Sequence, residues 1–142
     1  MAYYSRTLKM PFQQVLDKVT ENLELQGFGV ITTIDVQDTF QKKLKVGFRK
    51  YKILGACNPQ LAYKAISLES HMGIMLPCNV VIQEHENGDV EVLAFNPLEN
   101  LDKTFDKTPL MDLAREIGVR LRAAVDYVYR RPIKVHVEAL AA

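Results

Sequence analysis

Cysteine is scarce in this chain: 142 residues carry two, Cys57 and Cys78. Two are too few for a disulfide framework, and without an export signal both are expected as reduced thiols. Net charge is also scarce, at +1 from 18 basic and 17 acidic residues. General attraction to nucleic acid or to a membrane surface is therefore not expected. No apolar run approaches the roughly 20 residues that a membrane span needs. The opening Met-Ala-Tyr-Tyr-Ser-Arg lacks the apolar stretch of a signal peptide. Seven glycines are present, but none falls in a nucleotide-binding pattern. Linkers and low-complexity segments are missing too. What remains is one domain over residues 1–142, expected to be cytoplasmic.

Hydrophobic residues make up 48% and charged residues 25%, close to the globular average, so a packed core is expected. The elements read off in order. Tyr4, Arg6 and Leu8 alternate with Tyr3, Ser5 and Thr7 as in a short strand. After Pro11, the residues Phe12, Val15, Leu16, Val19 and Leu23 recur at helical spacing until Gly27 stops them. A second strand is expected over 28–34, then a short helix capped by Asp35 or Asp38 and running to Lys43. The reading over 46–56 is one strand with a bulge near Arg49-Lys50, which would bring Val46, Phe48, Tyr51 and Ile53 to one core. Asn58 caps a helix with Pro59 in its first turn, and Leu61, Ala62, Ala65 and Ile66 form its stripe. The segment 70–76 reads as a loop of unusual apolar content.

Asn87-Gly88 marks a hairpin between strands over 78–85 and 90–95. Closing it there puts Val80 and Ile82 on one face with Leu93 and Phe95, and Val81, Val90, Val92 and Ala94 on the other. Both faces are apolar, so both are expected to be covered, by helices or by a second subunit. Thr108-Pro109 is expected to cap the longest helix, with Leu110, Leu113, Ala114, Ile117, Leu121, Ala124, Val125 and Val128 as its stripe. Pro132 ends it, and an alternating tail over 133–138 reads as a possible added edge strand. The expected fold class is α+β, two layers, a mainly antiparallel sheet with helices packed on one side and a long C-terminal helix.

Two motifs put a cysteine beside an asparagine at the end of an element: Gly55-Ala-Cys-Asn-Pro59 and Leu76-Pro-Cys-Asn-Val80. With the Tyr51-Lys-Ile-Leu that leads the first and the Asn96-Pro97 that follows a later strand, they resemble the family called domain of unknown function 302 (DUF302). The resemblance runs from about Tyr4 to the long C-terminal helix, leaving 131–142 as a tail outside it. It implies a compact two-layer α+β domain that self-associates, and no activity.

Cys57 lies just before an expected helix N-terminus, where dipole and free N–H groups favour a thiolate. It is a candidate nucleophile, redox centre or metal ligand, although packing is the commoner fate of a cysteine. Cys78, at a strand start, has less claim. If 70–76 returns the chain, the flanking strands are antiparallel and both cysteines share one end, and that is the expected arrangement. Cys57, Asn58, Cys78, Asn79 and Asn96 would then form a polar rim suited to a small polar or anionic ligand, against the bland alternative that the asparagines cap and turn. His71, between the motifs, is the histidine to watch as ligand or general base, while His85 and His136 read as surface. Cys-x-x-Cys and His-x-x-x-His pairs are absent, so no metal and no cofactor is expected. Lys42, Lys43, Lys45, Arg49, Lys50 and Lys52 read as a solvated strand face, and Glu84 and Glu91 as a solvated pair facing each other across the hairpin. The leading expectation is a homodimeric small-ligand-binding domain. The alternatives are a thiol-dependent enzyme or redox protein using Cys57 with Cys78, and a metal-sensing module.

Overall fold

The computed structural model describes residues 1–128, so the tail and its His136 lie outside the described residues. In chain order come β1 (Tyr3–Leu8), α1 (Phe12–Leu25), β2 (Gly29–Asp35), α2 (Val36–Leu44), β3 (Tyr51–Cys57) and α3 (Pro59–Leu68). A 3₁₀ turn (Ser70–Met75), β4 (Cys78–Glu84), β5 (Val90–Phe95), a second 3₁₀ turn (Lys103–Phe105) and α4 (Thr108–Asp126) follow. The strands form a five-stranded sheet in the order β1-β5-β4-β3-β2. All its neighbours are antiparallel. The α+β class is as expected.

Local chemistry accounts for most boundaries. In α1, Phe12, Val15, Val19 and Leu23 bury one stripe, and Gly27 ends the run with φ of 89°, a conformation that side chains resist. Asp35 is the cap of α2, its carboxylate accepting from the Asp38 N–H at 3.0 Å. The Asn58 side chain caps α3 by accepting from the Leu61 N–H, with Pro59 in the first turn. Helix α4 carries Pro109 near its start and buries Leu110, Ala114, Ile117, Leu121, Ala124 and Val125. Its cap position is Lys107 rather than Thr108, and no side chain makes the cap bond. The α1 stripe and Ile117, Leu121, Ala124 and Val125 of α4 pack with Leu54, Val80, Ile82, Val92 and Ala94 of the sheet in one core, while Leu110 joins a smaller cluster with Ala65, Met72 and Phe105. The two helices are tied by Asn22, which donates to the Ala124 carbonyl at 3.0 Å.

Five expectations need correction. The third strand begins at Tyr51, not at Val46, and 46–50 has no regular structure. Phe48 does not join the core: its ring meets Phe40 of α2 edge-on at 5.0 Å, and Gln37 holds its carbonyl. The sheet's irregularity falls in β2, between Val30 and Thr32, instead of at Arg49-Lys50. The hairpin register is shifted by one. His85 donates to the Asp89 carbonyl, so Glu86-Asn87-Gly88 forms a three-residue loop with Gly88 at φ of 89°. A slip of one residue exchanges faces. Val80 therefore pairs with Ala94 and Ile82 with Val92 on the covered face, leaving Val81, Leu93 and Phe95 on the other. The same slip sets Glu91 opposite Gln83, so Glu84 does not face it; Glu84 instead lies 3.9 Å from Lys50.

Candidate functional site

The two Cys-Asn motifs meet at one end of the sheet. The 3₁₀ turn Ser70–Met75 brings the chain back after α3, so β4 runs antiparallel to β3 with Ala56 opposite Cys78 and Gly55 opposite Asn79. Strand β5 ends at the same rim, with Ala94 opposite Val80. Ala56-Cys-Asn-Pro59 and Ala94-Phe-Asn-Pro97 thus leave the rim on either side of Cys78-Asn79.

The side chains at this rim point in different directions. Cys78 is on the covered face, 3% exposed, among Met72, Leu76, Ile117 and neighbouring apolar groups. Burial, with a smaller contribution from nearby Cys57, pushes its thiol up to about 12, so it stays protonated at neutral pH. Cys57 is half-buried, in the opposite phase and opposite Gly29 of β2. Asn58 is occupied by its cap and lies against Gly27, where an added Cβ would sit 2.9 Å from its Nδ2. Asn96 is buried and ties down the N-terminus: its Nδ2 donates to the Met1 carbonyl at 2.9 Å and its backbone N–H to that of Ala2. Its Oδ1 lacks a hydrogen-bond partner and faces Gly118 of α4. His71 is an exposed ring whose Nδ1 sits 2.6 Å from Glu69 Oε1. Its backbone N–H, then its ring, hold the Glu69 carboxyl below its ordinary range.

Of the asparagines and cysteines at this rim, Asn79 is the one that stands exposed on the sheet face the described helices leave open, and it borders a groove. One wall is Ile74, Met75, Leu76 and Pro77 of the returning segment, and the other is Phe95 with Asn100. The groove encloses about 440 Å³, within the roughly 300–1,000 Å³ usual for small-molecule sites. Ile74 is 82% exposed at its edge, an uncommon place for a large aliphatic side chain. Asn100 is held by donating to the Ala2 and Asn96 carbonyls, both at 2.7 Å. Gly55 is required beside it: an added Cβ would collide with Thr32 Oγ1 and sit 2.9 Å from Pro77 Cγ. Sequence reasoning missed this groove, although the apolar content of 70–76 was its signal.

The basic stretch is partly neutralised. Lys42 pairs with Asp38 at 2.9 Å, and Arg49 bonds Gln83 Oε1 at 3.1 and 3.0 Å while lying over the Phe48 ring. At the hairpin end of the uncovered face, Glu91 accepts from Ser5 and Gln83 and meets His85 Nε2 at 3.0 Å. Burial raises the Glu91 carboxyl, but the bonds from Ser5 and His85, with Gln83, together bring it below its ordinary range. Among the described residues, no three His, Cys, Asp or Glu side chains come together as a metal site. No described helix is long and apolar enough to cross a membrane.

The sequence matches domain of unknown function DUF302 over residues 4–128. The chain belongs to the DUF302 family. It is similar to a solved structure, the uncharacterized conserved protein DUF302 from Bacillus stearothermophilus, with 28% identity and a TM-score of 0.80. That match covers 89% of this chain and 97% of the other. Among curated proteins none matches this sequence. Family and neighbour support the fold and carry no activity with them.

Proposed function

We propose that this DUF302 chain is a small-ligand-binding domain that works as a homo-oligomer, with the rim groove beside Asn79 as its site. The groove itself carries the reading. Its lining is mostly apolar, with the Asn79 amide and the Asn100 Oδ1 as its polar groups, the Asn100 NH₂ being spent on the Ala2 and Asn96 carbonyls. No cation lines it, so a small neutral ligand with a short apolar body and one hydrogen-bonding end suits it better than an anion. Of the residues first expected to bind, Asn79 borders the groove; Cys57, Asn58, Cys78 and Asn96 act around it, by packing, capping and tying the N-terminus.

The test is amide chemical-shift mapping with a panel of short-chain amides and alcohols. Shifts are expected at Ile74, Met75, Asn79, Phe95 and Asn100. Asn79→Ala should weaken the best binder about fivefold, the worth of one hydrogen bond of about 1 kcal/mol. No shift at these residues, or shifts confined to the separate surface groove at Gln13, Asp35, Lys50 and Lys52, would remove the reading.

A further inference from the structure

The face of the sheet that no described helix covers is unlike a solvated surface. From β1 it presents Tyr3, Ser5 and Thr7; from β5, Glu91, Leu93 and Phe95. Val81 and Gln83 of β4 continue it to Ile53 of β3 and Ile34 of β2, which face each other. Glu91 is the one charged residue in these rows, and its carboxylate is already engaged by Ser5, Gln83 and His85. A face left to water normally alternates polar residues outward. Here Val81, Leu93, Phe95 and Ile53 are only half-buried, Ile34 is 48% exposed, and Ile31 in the irregular part of β2 is 60% exposed. Charge depletion around a central aliphatic and aromatic patch is the mark of an interface core.

We propose that a second copy of this chain docks on the uncovered sheet face, and that the docked copy walls the open side of the rim groove. The homo-oligomer of the preceding reading is assumed, and this face is its surface. Size supports it. Five strands spaced by about 4.8 Å, each about 20 Å long, give a footprint of about 500 Å² before side-chain relief. That is of the order of the roughly 800 Å² that each partner of a standard interface buries. Shape supports it, because two twisted sheets stack face to face about 10 Å apart with their side chains interdigitated. Charge selects a copy over an acidic or basic partner. The charges at the patch, Glu91 and the Arg49 guanidinium at its edge, are both already hydrogen-bonded within the chain, and two chains of net charge +1 meet across it with little repulsion. A patch that meets itself closes as a two-fold dimer. The groove shares Asn79 and Phe95 with this face, and Tyr3 lies directly opposite Phe95 on β1, so a docked copy bounds the ligand site.

Hydroxyl-radical footprinting with mass spectrometry tests this across a range of protein concentration. Oxidation of Tyr3, Ile34 and Leu93 should fall severalfold as concentration rises, while Tyr63, 76% exposed on α3, stays constant. Val81→Asp should hold those residues at the high, unprotected level with an unchanged far-ultraviolet circular dichroism spectrum. If that variant misfolds, Tyr3→Arg at the exposed edge position should give the same loss of protection. Ile74→Ala, in the groove wall, should keep the protection, so loss of ligand binding and loss of docking are separable. Constant oxidation of Tyr3, Ile34 and Leu93 at all concentrations, or concentration-dependent protection elsewhere, would overturn the proposal.

Discussion

The two faces of the sheet come from the same strands and alternate residue by residue, yet they differ in what covers them. Val80, Ile82, Val92 and Ala94 lie under α1 and α4 and are essentially inaccessible. Val81, Leu93 and Phe95, one position along, are as apolar and remain half open. Equal hydrophobicity with unequal cover means that the sheet carries more apolar surface than the described helices protect. Each buried side chain of this size is worth about 1.5–3 kcal/mol, so the exposed set is costly to leave in water. The proposed second copy on that face would resolve the imbalance.

A pair of substitutions breaks the comparison most sharply. Ile82→Asp places an unpaired carboxylate in the core and should cost about 4 kcal/mol or more, enough to unfold the chain in a denaturant titration. Val81→Asp, next to it on the other face, should cost about 1 kcal/mol in the monomer. A second contrast concerns packing on the nominally open side. Gly55→Ala should destabilise by about 1–3 kcal/mol, because its Cβ would collide with Thr32 and Pro77. Thr32→Ala in the same chain should restore part of that loss, measured as a double-mutant cycle. The smallest effect is on pH. Glu91 has its carboxyl lowered from 4.5 in the folded state. Its contribution is therefore full above the unfolded value and is lost as pH falls through the depressed folded one. Glu91→Gln should flatten thermal stability against pH below about 4.5 relative to the wild type.

Much of this fold was legible in the residues. The stripes Phe12-Val15-Val19-Leu23 and Leu110-Ala114-Ile117-Leu121 specify helices, and Asn58-Pro59 specifies a start, because each signal is local. The hairpin's existence was equally plain at Asn87-Gly88. Its register was not, because whether two or three residues close the loop depends on the His85–Asp89 bond, and that choice decides every face. Phe48 reads as a strand residue until α2 is present to offer Phe40. At the rim, the common end of the two Cys-Asn motifs followed from antiparallel pairing. The fate of each amide did not: Asn58 took the nearest helix N–H and Asn96 the N-terminal carbonyl, partners that satisfy an asparagine locally or that only the folded chain supplies. The groove arises from the returning segment laid beside β5, a contact between residues distant in sequence.

The measurement that bears most directly on the whole account is the mass of the wild-type protein by sedimentation equilibrium at micromolar concentration. A weight-average mass at twice the 16.2 kDa chain, falling toward the single chain on dilution, is the predicted result. A mass of 16.2 kDa at every concentration would contradict it, and the uncovered face would then be the monomer's own surface.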